Sequence, residues 1–167
     1  MYNQFVLQYA SAHKRNGEVD SIKPRKLGRD ISQIYRSSQF FFDHKLKPYQ
    51  LGSGQYILLI PLYDNDGINQ KQLSDRAKLD KTTTTRTIEK LLSEGYITRE
   101  PDESDKRAYK LYTTPKAAAI RPTLASILDE WNQIMLGGFT SEEREQIFSL
   151  IDKINSNIHQ QRRRTEL

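Results

Sequence analysis

Along most of the 167-residue chain the apolar positions recur at three- and four-residue spacing, the mark of helices with one buried face. Leu27, Ile31, Ile34, Tyr35, Phe41 and Phe42 keep to it and predict a helix from Leu27 to about Lys45. Residues 1–26 mix a short apolar start with the basic stretch HKRNGEVDSIKPRK. Gly17 and Pro24 interrupt any helix there, so this segment reads as an arm. After a turn at Pro48, Gln55 to about Tyr63 is nearly all apolar, which predicts a helix buried on most sides and ended by Asp64, Asn65, Asp66 and Gly67.

The period changes between Tyr96 and Thr113. Tyr96 to Glu100 predicts a short strand, PDESDKR a polar turn, and Ala108 to Thr113 a returning strand with Tyr109, Leu111 and Thr113 alternating. Helical spacing then returns. Pro115 suits a first turn, and Ile120, Leu124, Ile127, Trp131 and Ile134 step by four, three, four and three, with Pro122 expected to kink this helix or mark its true start. A last helix, capped by Thr140 with Glu143, carries Ile147, Leu150, Ile151, Ile154 and Ile158. The expected fold class is mainly α with one small β-hairpin, α+β.

The segment INQKQLSDRAKLDKTTTTRTIEKLLSEGYI carries most of the functional information. Asn69 with Gln72 forms a capping box, and Leu73 and Ala77 give a short helix its apolar face. Asp80 caps a second helix with Ile88, Leu91 and Leu92 inward, and Gly95 stands where a left-handed cap ends it. Two short helices joined by a tight turn, at about 69–93, make a helix-turn-helix, and the hairpin at about 96–113 is its wing. The outward face of the second helix holds Thr82, Thr83, Arg86, Lys90 and Ser93. Short hydroxyls approach phosphates closely and an arginine can pair with a guanine edge, so Thr82, Thr83, Arg86 and Lys90 are candidate DNA contacts. A merely solvated helix surface has similar polarity, but threonines at 82–85 are a poor choice for helix stability alone. At the wing tip Lys106 and Arg107 can reach a phosphate backbone or a narrow minor groove, while Asp105 suits a wing-positioning pair with an arginine.

Composition narrows the field further. The chain has 26 Lys and Arg against 21 Asp and Glu, a net charge of +5, which fits a polyanionic partner without requiring one. The absence of cysteine excludes disulfides, a thiol nucleophile and cysteine-based metal or redox chemistry. The three histidines, His13, His44 and His159, are scattered, and no HExxH, phosphate-cradling glycine loop or nucleophile elbow is present. The chain is therefore expected to be no enzyme, with no cofactor and no bound metal. No apolar run approaches a membrane span and no secretion signal opens the sequence, so the expected location is cytoplasmic, away from the membrane.

The stripes at about 27–45 and 115–160 offer more apolar surface than one small core can use. Ile31, Ile34, Leu124, Ile127, Trp131, Ile151 and Ile154 are candidate dimerisation residues, with packing inside one chain as the alternative. A homodimer would present two recognition helices to a pseudo-palindromic site on double-stranded DNA. The basic tail, residues 161–167, is expected to be a frayed end.

Over roughly Leu27 to Ile158 the order of elements resembles the MarR family of regulators, with winged helix-turn-helix domain boundaries at 27 and 160. The stretches QKQLSDRAKLDKTTTTRTIEKLLSEGYITRE and SDKRAYKLYTT carry the resemblance. In the second, Asp105 and Arg107 match the family's Asp-x-Arg pair, which implies an arginine entering the minor groove. The resemblance also implies a recognition helix from about Lys81 to Ser93 in the major groove, a homodimer built from the first and last two helices, and repression relieved by small, often aromatic, anionic effectors. Tyr35, Phe41, Tyr56 and Tyr63 are candidate pocket residues for such a ligand, although aromatic residues at these spacings also suit a core. Thr84 departs from the pattern by filling an inward slot that is usually aliphatic. The alternative function is a winged-helix module for protein assembly or for sequence-independent architectural DNA binding. An assembly module would be expected to present apolar anchors on the outward face of Thr82 to Ser93.

Overall fold

The computed structural model describes residues 24–102 and 108–165, with side chains described over 27–102 and 108–161. The chain divides into two compact units, residues 1–37 and 38–167, and the boundary falls inside the first helix, α1 (Pro24–Leu46). Proline is tolerated at a helix's first turn, where its missing N–H has no partner to lose. Pro24 therefore opens α1 three residues before the expected start, within the segment read as an arm. In the first unit Leu27, Ile31, Ile34 and Tyr35 are all exposed.

In the second unit a 3-10 turn (Lys47–Tyr49) joins the end of α1 to α2 (Ser53–Asp64). Asp43 stabilises this corner, its carboxylate accepting from the Ser53 N–H at 2.6 Å. A short β1 (Ile68–Asn69) leads into α3 (Gln70–Ala77) and α4 (Lys81–Ser93). Then come β2 (Ile97–Pro101), β3 (Tyr109–Thr113), α5 (Pro115–Met135) and α6 (Ser141–Thr165). The sheet is antiparallel in the order β1-β3-β2, with Arg99 opposite Leu111 on one side of β3 and Ile68 opposite Leu111 on the other. The hairpin expected from sequence thus has a third strand.

Leu58, Leu59 and Leu62 of α2 are fully buried, as expected of its nearly unbroken apolar run. Around them pack Phe42, Leu46, Leu73, Leu91, Ile97, Leu111, Ala117, Ile120, Leu124 and Ile127. Pro61 and Pro122 each lie within a helix that continues past them. At Pro122 neither a later start nor a break occurs, because Ile120 and Leu124 on either side are anchored in the core. Proline costs one backbone bond there, which burial of its neighbours offsets.

Two dimerisation expectations need correction. Leu124 and Ile127 are 2% and 7% exposed within one chain, so the core already uses them and a partner cannot. Trp131 is half-buried against Phe41, with ring centroids 5.0 Å apart. By contrast Phe148, Leu150, Ile151 and Ile158 of α6 remain exposed, and Ile154 is half-buried. The backbone of α6 continues helical to Thr165, so most of the tail expected to fray is part of that helix.

Candidate nucleic-acid interface

Local capping sets the two helices that matter. The Asn69 side chain accepts from the Gln72 N–H and the Gln72 side chain accepts from the Asn69 N–H, both at 2.9 Å, which closes the capping box at the start of α3. Lys78 takes a left-handed conformation (φ 52°) and ends that helix. Asp80 then accepts from the Thr83 N–H at 2.9 Å and from the Thr83 hydroxyl at 2.6 Å. These two Thr83 bonds hold the Asp80 carboxyl below its ordinary value. They also place a negative charge at the positive end of α4. Gly95, at φ 70°, supplies the left-handed turn after α4.

The threonines at 82–85 divide by what their hydroxyls do. Thr84 is fully buried and donates to the Asp80 carbonyl at 2.8 Å, which reconciles a hydroxyl with an inward slot. Thr85 donates to the Lys81 carbonyl at 2.8 Å and accepts from Gln70 at 2.6 Å, tying α3 to α4. Thr83 is spent on the cap. Local bonding thus accounts for three of these hydroxyls, and the Thr82 hydroxyl is the one left with no hydrogen bond to another described residue.

Thr82, Thr83, Arg86, Lys90 and Ser93 all face solvent, as α4 buries Thr84, Thr87, Ile88 and Leu91 on its other side. Arg86 makes no ion pair with another described residue, which leaves its guanidinium available. Lys90 is less free, since its ammonium sits 2.6 Å from Glu94 one turn on. That hydrogen bond lowers the Glu94 carboxyl.

A cleft of about 630 Å³ opens beside this face, lined in part by Lys71, Lys81, Glu89, Arg99 and Tyr109. Arg99 pairs with Glu89 at 3.2 Å and lies over the Tyr109 ring at 5.3 Å, linking α4 to both strands of the wing. Lys71, Lys81 and Arg99 are not among the DNA contacts expected from sequence. Lys81 could have been found from its place at the first turn of α4, but Arg99 becomes visible only when the strands pair. Asp105, Lys106 and Arg107 lie outside the described residues. The base of the wing is closed by the Asp102 N–H donating to the Ala108 carbonyl at 3.0 Å.

Of the aromatic residues considered for a ligand pocket, Phe41, Tyr56 and Tyr63 are partly buried and pack against the core. Phe42 meets Tyr56 at 4.4 Å and Phe41 at 5.3 Å between centroids, and Tyr63 donates to the Ala117 carbonyl at 2.8 Å. Burial pushes the Tyr63 phenol up to about 12, helped by Tyr96 and opposed by Arg121. Tyr35 belongs to the first unit, where it is exposed.

Residues 51–109, from the entry to α2 through the start of β3, match the model of the MarR family. An uncharacterized HTH-type transcriptional regulator of Bacillus subtilis (strain 168), YybA, is 37% identical over 130 residues, covering 78% of this chain and 87% of its own length. The chain belongs to the MarR family. It is accordingly a transcriptional regulator with a winged-helix fold and not an enzyme. A MarR regulator from Methanosarcina mazei Go1 is similar in structure, with a TM-score of 0.75 at 39% identity, over 81% of this chain and 98% of that one. A MarR-family regulator from Listeria monocytogenes, solved in complex with a 26mer DNA, gives a TM-score of 0.72 at 31% identity over 78% and 87% of the two chains. Among the described residues no helix is long and apolar enough to cross a membrane.

Proposed function

We propose that this MarR-family regulator is a cytoplasmic homodimer that binds a pseudo-palindromic double-stranded operator. Each α4 lies in the major groove and each wing tip brings Arg107 to the minor groove. The observation that carries the proposal is the exposed face of α4, where the Thr82 hydroxyl and the Arg86 guanidinium make no hydrogen bond or ion pair with other described residues while the opposite face is committed to the core. A surface that offers unpaired donors and no apolar anchor suits phosphate and base edges better than a protein partner. The Listeria relative, solved in complex with a 26mer DNA, supports DNA as the class of partner.

Dimerisation draws support from the apolar side chains left exposed, Ile31 and Ile34 on α1 and Leu150 and Ile151 on α6. Exposed aliphatic stripes on two long helices are what a two-fold interface consumes. Phe41, Tyr56 and Tyr63 are committed to packing, so the proposal includes no aromatic-lined effector pocket.

The test is titration of labelled operator-length duplex with Arg86→Ala and Arg107→Ala at near-physiological salt. Loss of a paired contact to a base costs about 1–3 kcal/mol, so Arg86→Ala is expected to weaken binding by about 5- to 150-fold and relax base preference. Arg107→Ala is expected to weaken binding with less change in base preference. Binding unchanged in both variants would overturn the assignment of this face.

A further inference from the structure

The joint between α4 and α5 is bonded more densely than a loop of that length requires. Three consecutive carbonyls at the end of the recognition helix are each captured from the start of α5. The Glu94 carbonyl accepts from the Lys116 ammonium at 2.6 Å, the Gly95 carbonyl from the Thr114 hydroxyl at 2.8 Å, and the Tyr96 carbonyl from the Thr114 N–H at 3.0 Å. The same Lys116 ammonium lies 4.4 Å from the centroid of the Tyr96 ring. Tyr96 is itself fixed, buried to 1% exposure with its hydroxyl donating to the Tyr49 carbonyl at 2.6 Å. From the other side Tyr63 of α2 donates to the Ala117 carbonyl, and Arg121 pairs with Asp64 at 3.5 Å. Lys116 and Arg121 are the long, exposed side chains in this set, and of the two Lys116 is the one whose charged end folds back onto a carbonyl at the end of the recognition helix, at a cost in side-chain freedom.

We propose that Lys116 is a positioning residue that fixes the angle between the recognition helix α4 and the helix α5, and thereby the operator spacing that a dimer accepts. The inference rests on the homodimer described under Proposed function. α5 spans 21 residues, about 30 Å at 1.5 Å per residue. One base pair is about 3.4 Å along the duplex, so a rotation of about 6° at the near end of a 30 Å lever shifts its far end by one base-pair step. The buried Ala117, Ile120 and Leu124 anchor α5 in the core, and at its outer edge Lys116 adds a hydrogen bond that satisfies a helix C-terminal carbonyl together with a cation–π contact.

The test uses the full chain with a series of duplexes whose two half-sites are moved apart or together by single base pairs, together with a duplex carrying one half-site alone. Lys116→Met keeps the length and loses both contacts, and Lys116→Arg keeps a donor and a cation over the Tyr96 ring. The expected result is that Lys116→Met binds the single half-site as wild type does, but discriminates optimal from one-step-altered spacing at least about threefold less sharply, while Lys116→Arg restores the discrimination. A wild type that prefers one spacing and a Lys116→Met variant with the same preference would overturn the inference alone. A wild type indifferent to spacing would overturn the homodimer proposal and this inference with it. A Lys116→Met variant that loses the single half-site equally would reduce Lys116 to a folding role and also overturn the inference.

Discussion

Replacing Thr84 by valine exchanges a fully buried hydroxyl for a methyl inside the apolar face of the recognition helix. The hydroxyl's bond to the Asp80 carbonyl is lost, a net loss of about 1 kcal/mol. That carbonyl is not orphaned, because the Thr84 N–H still donates to it at 2.9 Å, and the penalty of about 1–3 kcal/mol for an unsatisfied buried group does not arise. Removing a polar atom from an apolar slot returns a gain of similar size, about 1 kcal/mol. The two terms nearly cancel, so Thr84→Val is expected to fall within about 1 kcal/mol of wild type on either side. Thr84→Ala also deletes the methyl and leaves a void, and is expected to cost about 1–2 kcal/mol. Urea unfolding followed by circular dichroism measures both. With a slope of about 2 kcal/mol/M, the valine midpoint stays within about 0.5 M of wild type and the alanine midpoint falls by about 0.5–1 M. A valine variant destabilised by more than about 2 kcal/mol would show that the hydroxyl is indispensable and refute this cancellation.

Three further outcomes follow from the same structure. Leu124→Asp, which buries a charge in the core, is expected to unfold the chain by several kcal/mol, whereas Ile151→Asp on exposed α6 is expected to leave circular dichroism intact and shift sedimentation towards monomer; equal behaviour of the two would contradict the assignment of inner and outer stripes. Asp80→Asn keeps a cap but removes the charge. Because the Asp80 carboxyl is lowered in the folded chain, its contribution is present above the ordinary carboxylate value and lost as pH falls through the lowered one, so wild type and Asp80→Asn are expected to converge in stability at the acid end of a pH series. A gap that persists below both values would show that the charge is not responsible. Tyr63→Phe, which removes the donor to the Ala117 carbonyl, is expected to cost about 1 kcal/mol in the same unfolding assay, and no loss would show that solvent replaces that bond.

What the sequence made legible was what is decided locally. Asn69 with Gln72, Asp80 at the start of α4, Gly95 after it and Thr140 with Glu143 all do in the structure what short-range capping chemistry asks of them. The inward and outward sides of α4 were readable for the same reason, since a hundred-degree step per residue assigns both from Ile88 alone. Less legible was anything decided between distant segments. Leu124 and Ile127 share the spacing of Ile151 and Ile154, and no periodicity tells a stripe facing its own core from one left outside. β1 escaped notice because two residues, Ile68 and Asn69, carry no pattern, and only pairing with Leu111 and Lys110 makes them a strand. The aromatic residues suggested a pocket because size and spacing are the same for a cavity wall and a packed core, and only the fold shows that Tyr56 packs against Phe42. The clamp of Thr114 and Lys116 on the carbonyls of Glu94, Gly95 and Tyr96 joins residues some twenty positions apart and left no local mark.

The most direct test of the central claim is selection of bound sequences from a random duplex pool at near-physiological salt, with the mass of the protein measured in the same buffer. A dimer that enriches a pseudo-palindrome with half-sites about one helical turn apart is the predicted result. Salt-sensitive binding that enriches no sequence, or a monomer that binds no duplex, would contradict it.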